Sequence, residues 1–272
     1  MTTLPTAAEQ LQCYRLVGVV HLPPLPGSAR GPTVADLPSI LNHARRDAAA
    51  WAAGGVDALI VENFGDVPFP KGAAGPETIA AMTMAVAAVI AETGLPVGVN
   101  VLRNDVAGAV AIAAATGARF VRANVYVGAS LTDQGFIEGR ADTVQALIRR
   151  LGAPVAVWAD VDVKHAVPVA PRALGELTRD AIERGLAAAV IVTGAGTGQP
   201  AALADLEAVR VEALDTPLYV GSGATAETLP ALLAIADGAI VGTAGKVDGI
   251  VSNPVDPARV RALVAAARIT IR

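Results

Sequence analysis

The sequence has little of what several protein classes need. Its single cysteine, Cys13, excludes an internal disulfide and supplies no metal cluster. Charged residues make up only 17% of the chain, and 21 basic against 25 acidic side chains give a net charge of -4. This balance argues against nucleic-acid binding, which needs a clustered positive field. Aromatic residues make up only 3%, which leaves few large apolar anchors for docking a partner.

Long hydrophobic runs are also missing, although the mean hydropathy is +0.50. The uncharged helical stretch from Ala80 to Ala91 stops at Glu92, short of the ~20 residues that a membrane span needs. The N-terminal residues include Glu9 and Arg15 and lack the basic-then-apolar pattern of a signal peptide. We therefore expect a soluble, cytoplasmic protein without a transmembrane segment.

Eight short apolar runs recur along the chain, each followed by a polar or glycine-rich segment and then an Ala/Leu-rich stretch. Each run is nearly continuous in apolar character, which is typical of strands covered on both faces. The predicted strands are Leu16–His21, Ala58–Glu62, Val97–Val101, Arg119–Ala123, Val155–Asp160, Ala189–Thr193, Leu218–Gly221 and Ala239–Gly242.

Glycines and capping residues mark the boundaries between these runs. Helix ends with a left-handed residue are predicted at Gly54-Gly55, Gly94, Gly117, Gly152 and Gly185. Helix starts are predicted at Asp36, Gly75, Thr225 and Asp256.

Eight alternating units favour a closed (β/α)₈ TIM barrel, with an open doubly wound α/β sheet as the alternative, and the glycine loops after the seventh and eighth strands favour a barrel of the phosphate-binding type. No linker or composition shift divides the chain, so we expect one domain over residues 1–272, with 1–15 as an N-terminal extension. Barrel enzymes carry their sites at the carboxyl ends of the strands.

Glycine-rich loops after the seventh and eighth strands indicate a phosphate site. Their backbone N–H groups can approach an anion closely, and a helix starting near Thr225 would add its dipole; the alternative is that the glycines only make tight turns. A third glycine loop, beginning at Thr193, fits a flexible rim or a plain surface loop. The residues expected to contact the ligand here are Thr193, Gly221, Ser222, Gly223, Gly242, Thr243 and Lys246.

Polar side chains cluster where five predicted strands end. Side chains alternate along a strand, so those of one parity point into the barrel. The alternative to a ligand site is a purely structural network of ion pairs. The residues are His21, Glu62, Asn100, Arg122, Asn124, Asp160, Asp162, Lys164 and His165.

These groups suggest several kinds of chemistry. Glu62 and Asp160 could differ in pKa and act as acid and base. Lys164 could form a Schiff base with a carbonyl substrate. The acids with His21 or His165 could hold a divalent cation, but the histidines lack a metal-binding spacing, so no metal site and no cofactor are predicted. The segment Arg103–Asp105 could cap the third helix or contact the ligand.

The chain resembles the BtpA/SgcQ family over about residues 16–268. Beyond the strand ends already named, the resemblance rests on segments 19–28, 55–66, 98–105, 121–125, 132–135, 159–165, 220–223, 240–243 and 253–256. It implies a TIM barrel related to phosphate-binding barrels. The family is named partly for a photosystem I biogenesis factor and partly for a protein of sugar-utilisation operons. Where family members carry a bulkier Ser-Leu-Lys-like stretch, this chain has Ala244-Gly245-Lys246.

Two hypotheses follow. The first is an enzyme acting on a small phosphorylated metabolite, a sugar or ribosyl phosphate, by isomerisation, retro-aldol cleavage or glycosidic hydrolysis. Its catalytic residues would be Glu62, Asn100, Arg122, Asp160 and Lys164. The second is a non-catalytic assembly or biogenesis factor that uses an aromatic patch, drawn from Phe64, Phe69, Tyr126 and Phe136, to dock a partner. A homo-oligomer is expected under both.

Overall fold

The computed structural model describes residues 13–162, 166–170, 172–194 and 201–269. Eight strands form a closed barrel in the order β1-β11-β10-β9-β7-β4-β3-β2, and every pair in it is parallel. The barrel strands are β1 Leu16–His21, β2 Ala58–Glu62, β3 Val97–Asn100, β4 Phe120–Ala123, β7 Ala156–Asp162, β9 Ala189–Val192, β10 Leu218–Val220 and β11 Gly238–Val241. The TIM barrel predicted from the sequence is confirmed, and each strand lies within two residues of its predicted bounds.

Helices follow the strands and cover the outside of the barrel. The two long helices, Leu37–Gly54 and Pro76–Thr93, each place small or apolar side chains against the strands, among them Ala44 and Ala85, which are fully buried. The helices are α1 Leu37–Gly54, α2 Pro76–Thr93, α3 Val106–Thr116, α4 Ala141–Leu151, α5 Leu174–Arg179, α6 Leu203–Ala213, α7 Leu229–Leu232 and α8 Pro257–Ala267.

Four of the five predicted glycine helix ends are confirmed. Gly55, Gly94, Gly117 and Gly152 all have positive φ at the residue after their helix. The prediction of a left-handed residue at Gly185 is wrong, because its φ is -85°. The helix Leu174–Arg179 continues as a π-helical turn over Asp180–Arg184. The residue with left-handed backbone geometry therefore comes one position later, at Leu186 with φ 57°.

The predicted helix starts at Asp36, Gly75 and Asp256 are correct, and Asp256 accepts a hydrogen bond from the N–H of Ala258. The start at Thr225 is wrong, because α7 begins only at Leu229 and has four residues. The N–H of Thr225 instead donates to the hydroxyl of Thr228 at 2.9 Å, in a turn. The helix dipole expected beside the seventh loop is therefore missing.

Aromatic side chains fill the barrel interior below the carboxyl ends of the strands. The Trp158 ring stacks between Phe120 at 3.9 Å and Tyr219 at 4.1 Å between centroids. Tyr14 packs against two of these rings and closes the cluster, so this part of the predicted N-terminal extension belongs to the core. Ligand access to the barrel interior is thereby limited to the opposite end.

A small antiparallel sheet that the sequence did not predict projects from the loops after β4 and β7. It has the order β6-β5-β8, with β5 Ala129–Thr132, β6 Gly135–Glu138 and β8 Ala166–Pro168. One face rests on the barrel, where Ile137 and Ala166 pack against Val125. The other face carries the exposed side chains of Leu131, Phe136, Val167 and Val169.

Candidate functional site

One cavity of about 930 Å³ lies at the carboxyl ends of the barrel strands. Its wall contains side chains from the ends of β1 to β4 and the loops after β10 and β11. The predicted residues that line it are His21, Glu62, Asn100, Arg122, Asn124, Gly221, Ser222, Gly223, Gly242 and Thr243. The ionisable cluster and the two glycine loops therefore share one cavity.

Glu62 and Asn100 form a pair at the ends of β2 and β3. The strand register places them side by side, and Asn100 Nδ2 donates to Glu62 Oε2 at 2.6 Å. Glu62 Oε1 takes part in none of the hydrogen bonds within the described chain. Because Glu62 also lines the cavity, it keeps one carboxylate oxygen for a ligand.

Asp160 differs from Glu62, because its oxygens are already occupied. They accept from Nε and Nη2 of Arg122 at 3.1 and 3.2 Å, and from Asn124 Nδ2 at 2.7 Å. The carboxylate is fully buried and does not line the cavity. Burial by itself lowers the pKa of Arg122, but the charges of Asp160 and Glu62 outweigh it, and the pKa of Arg122 is raised. The two carboxylates therefore have unequal environments: Asp160 fixes a permanently charged arginine, whereas Glu62 faces the cavity.

The amide groups of Asn100 and Asn124 are oriented by these carboxylates. An ionised carboxylate only accepts hydrogen bonds, so each amide must turn its NH₂ toward the carboxylate. Each Oδ1 is buried and has no hydrogen-bond partner in the described chain. Both side chains line the cavity, so their chemistry suits a ligand that carries hydrogen-bond donors, such as hydroxyl groups.

The two glycine loops present unpaired backbone donors. Gly221 closes the strand by donating to the carbonyl of Val192 at 2.8 Å. Three successive backbone N–H groups in each loop have no acceptor within the described part of the chain. They belong to Ser222, Gly223 and Ala224 in the seventh loop and to Gly242, Thr243 and Ala244 in the eighth. Successive N–H groups in turn conformations form concave anion sites.

Glycine is required at two of these positions. Gly223 has φ 72°, in the left-handed region that other residues rarely adopt. A Cβ on Gly242 would lie 2.6 Å from Cε1 of His21, so a side chain there would displace the imidazole. His21 also contacts Phe64 edge-on at 4.9 Å, and Phe64 and Phe69 line the cavity wall.

Lys246 does not face the cavity, contrary to the sequence expectation. It is 1% exposed, and its ammonium donates to Asp47 of α1. The chain turns inward after a 3₁₀ turn at Thr243–Gly245, which directs the lysine between barrel and helix. Lys246 therefore neutralises a buried carboxylate, and it is not placed to bind phosphate.

Arg259 of α8 lies beside the eighth loop instead, and sequence reasoning missed it. Its Nε donates to the carbonyl of Ala244 at 3.0 Å, and the side chain lines the cavity. No motif could have revealed it, because Arg259 is 15 residues from Ala244 and meets it only when α8 folds back.

The sequence left two roles open for the segment Arg103–Asp105, capping the third helix or contacting the ligand, and its residues differ in which role they take. Asp105 caps α3 by accepting from Gly108, and it also accepts from Ala74 at 2.9 Å. Asn104 makes two hydrogen bonds with the backbone of Val125. Arg103 lines the cavity, and burial lowers its pKa despite the opposing charge of Asp160.

Hydrogen bonds also tie the first two loops together. Asp66 accepts from the N–H of Leu25 at 2.7 Å and from Asn63 Nδ2 at 2.9 Å. Burial raises the pKa of Asp66, and these two bonds partly offset the effect. Together with the contacts of Asp105 and Asn104, they hold the first four loops in a fixed arrangement around the cavity.

Four further predicted site residues do not contribute a described side chain to the cavity. Lys164 and His165 lie outside the described residues, and of Asp162 only the backbone, as the end of β7, is described. Thr193 does not line the cavity; its Cγ2 lies 2.7 Å from where a Cβ would stand on Gly221. Within the described ranges, no three His, Cys, Asp or Glu side chains come together as a metal site would need. No helix there is both long and apolar enough to cross a membrane.

The chain matches one protein family over almost its whole length. Residues 12–269 match the model of the BtpA family. The photosystem I biogenesis protein BtpA of Synechocystis sp. is 45% identical over 251 residues, which cover 92% of this chain and 87% of that protein. An uncharacterized protein of Thermococcus kodakarensis is 46% identical over 253 residues, covering 93% of this chain and 95% of that protein.

Solved structures with a similar fold are more distant in sequence. Phosphoribosyl anthranilate isomerase from Thermococcus kodakaraensis has a TM-score of 0.55 and 13% identity, covering 94% of this chain and 99% of that one. The 2-keto-3-deoxy-6-phospho-gluconate aldolase from Zymomonas mobilis has a TM-score of 0.54 and 15% identity, covering 98% of both. At these identities the similarity establishes the fold alone.

Proposed function

The chain belongs to the BtpA family, and from this premise we propose that it is an enzyme acting on a small phosphorylated metabolite, a sugar or ribosyl phosphate. The proposal rests on one observation: two runs of unpaired N–H groups and a cavity-facing carboxylate, Glu62, line the same cavity. A phosphate on the glycine loops would hold the rest of the molecule over the strand ends.

The proposed division of work follows from the chemistry of each group. The N–H groups of the glycine loops bind the phosphate, which does not react. Glu62 exchanges a proton with the reacting carbon or oxygen, and Arg122, held by Asp160, stabilises negative charge that develops there. Asn100 and Asn124 accept hydrogen bonds from substrate hydroxyls. Such anchoring can lower a barrier by roughly 7–11 kcal/mol in the best cases.

Three reaction types are compatible with this set: isomerisation, retro-aldol cleavage and glycosidic hydrolysis. All need a group that gives or takes a proton, and Glu62 would supply it. The structurally similar isomerase and aldolase carry phosphorylated compounds in their names.

Ligand binding tests the proposal first. Thermal unfolding is followed with inorganic phosphate, ribose 5-phosphate, glucose 6-phosphate and unphosphorylated ribose, each with and without Mg²⁺. A phosphorylated ligand at one hundred times its Kd should stabilise the fold by about 2.7 kcal/mol, and ribose should not at the same concentration. A flat response to every phosphate compound would contradict the proposal; the Mg²⁺ arm decides whether a divalent cation takes part.

Glu62→Gln then tests catalysis. We expect this variant to bind the active probe with an affinity close to wild type and to lose turnover, measured by NMR of the probe, because an amide cannot exchange the proton. Glu92→Gln, an exposed substitution on α2, is the matched control and should keep full turnover. Asp160→Asn is a less specific test of catalysis, because it leaves buried Arg122 without its counter-charge and should lower the stability of the protein as well.

A non-catalytic assembly factor is the second candidate, and the small sheet supplies the observation in its favour. Leu131, Phe136 and Val167 lie opposite one another across its three strands and are 58%, 42% and 66% exposed. Such an apolar row suits protein contact, and the Synechocystis relative is named for photosystem I biogenesis. The aromatic patch expected from the sequence does not coincide with this apolar row, because Tyr126 is buried and Phe64 and Phe69 line the cavity. Absence of phosphate binding together with pull-down of a partner that Leu131→Ser abolishes would favour this function.

A further inference from the structure

The phosphate site proposed above lacks an assigned cation. A phosphate monoester carries close to two negative charges at neutral pH, and charge-assisted hydrogen bonds bind it about twice as strongly as neutral ones. The lysine expected to supply the charge, Lys246, is bonded to Asp47. Backbone N–H groups alone would leave the phosphate only partly neutralised.

Three arginines line the cavity among the described residues, and they differ in what they already bind. Arg122 is held by Asp160. Arg103 comes from the loop after β3, beside the ionisable cluster. Arg259 comes from α8 and lies at the eighth loop, next to one of the two runs of unpaired N–H groups.

The guanidinium of Arg259 is positioned but not neutralised. Its Nε is fixed on the carbonyl of Ala244 at 3.0 Å, and no described carboxylate lies within ion-pair distance of it. Of its five N–H donors, four therefore stay available for an anion. A guanidinium with these free donors suits a phosphate group, which it can bind through two parallel N–H···O hydrogen bonds.

Glu227 stands at the same part of the cavity and carries the opposite charge. It follows the seventh loop, lines the cavity and is exposed. A hydrogen bond from Thr225 is the main cause that lowers the pKa of Glu227, and the charge of Arg259 adds to it. Glu227 is not ion-paired with Arg259, but because both side chains line the same cavity its negative charge would repel an anion that binds there.

We propose that Arg259 is the cationic ligand of the substrate phosphate, and that the negative charge of Glu227 in the same cavity opposes this binding. This inference rests on the proposed function and adds two specificity residues to it. The arrangement favours a doubly charged phosphate over a singly charged anion, because the attraction of the guanidinium grows with the charge of the ligand.

Titration calorimetry at low salt with inorganic phosphate and with ribose 5-phosphate tests the inference. We expect Arg259→Gln to weaken both affinities about tenfold or more, as loss of a charge-assisted contact does. Arg261→Gln, on the same helix but outside the cavity lining, is the matched control and should change them less than about twofold. Glu227→Gln should tighten binding about two- to fivefold, since it removes an exposed opposing charge.

The outcomes separate this inference from the function on which it rests. If wild type binds neither probe, the proposed phosphate site itself is wrong. If wild type binds but Arg259→Gln behaves as Arg261→Gln does, Arg259 is not the ligand. Equal or weaker binding by Glu227→Gln would overturn the role assigned to Glu227. Arg259→Lys keeps the charge and loses the fork, so an intermediate affinity would support the assignment even if Arg259→Gln folds poorly.

Discussion

At the scale of single residues, the type of a side chain did not decide its role. Lys246 and Arg259 are both cations near the eighth loop, yet one is buried on Asp47 and the other lines the cavity. Glu62 and Asp160 are both carboxylates at strand ends, yet of the two only Glu62 keeps an oxygen that has no hydrogen-bond partner among the described residues. In each pair, the existing hydrogen bonds determine what the group can still bind.

Replacing Lys246 by Met should therefore affect stability and not ligand binding. The substitution removes the buried partner of Asp47 and leaves it only Arg46 at 3.6 Å and His43 at 3.5 Å; breaking a buried ion pair typically costs about 3–5 kcal/mol. Urea unfolding measures the loss, and calorimetry with ribose 5-phosphate should give an unchanged Kd for the folded variant. The double variant Asp47→Leu/Lys246→Met should recover much of the stability, because no unpaired charge remains. A large loss of affinity with little loss of stability would instead place Lys246 in the ligand site.

At the scale of elements, the loops around the cavity are held by side chains that bond across from one loop to the next. Asp105 is the clearest case, because one carboxylate oxygen caps α3 at Gly108 and the other binds Ala74 in the loop before α2. A single residue thus couples the start of a helix to the position of a neighbouring loop.

Asp105→Ala should lower the free energy of unfolding by about 1–3 kcal/mol, the sum of a lost cap and a second lost hydrogen bond. Asp105→Ser should recover the cap but not the bond to Ala74, since a hydroxyl is too short to serve both. Urea unfolding gives the stabilities, and proteolysis of the loop from Asn63 to Gly75 reports its opening. Equal cleavage of wild type and Asp105→Ala would show that this bond does not hold the loop.

At the scale of the whole molecule, the burial of all three tyrosines is a property that the folded chain as a whole creates. The chain has only three tyrosines, and all are buried: Tyr14 and Tyr219 in the barrel interior, and Tyr126 under the fourth loop. Burial raises the pKa of each one, to about 12 for Tyr126, whose hydroxyl donates to the carbonyl of Gly185.

Alkaline titration followed by near-ultraviolet absorbance should therefore show no tyrosine ionising at its usual pKa of about 10 in the folded protein. In concentrated urea all three should titrate near that value. Because the unfolded chain loses protons first, stability should fall as pH rises from about 10 toward 12. Tyr126→Phe should reduce this fall. A tyrosine that titrates near pH 10 without unfolding would contradict the burial described.

The repeating order of strands and helices was determined by the sequence, because it depends on local physics. Apolar runs long enough for a buried strand, glycines that permit a left-handed residue, and prolines that cannot continue a helix all act within a few residues. The carboxyl-end positions of His21, Glu62, Asn100 and Arg122 followed from the predicted strand bounds, and the alternation of side chains along a strand predicted that the last three point into the barrel. The glycine loops after the last two strands were recognisable for the same reason.

Only the tertiary structure decided which of these groups remains free. Whether Asp160 faces a ligand depends on Arg122 and Asn124 from the neighbouring strand, and whether Lys246 does depends on Asp47, 199 residues away in sequence. The antiparallel sheet also escaped prediction, because β5 and β8 pair across the intervening α4 and β7. Hydrogen-bond partners far apart in sequence are set by packing, and no local pattern records them.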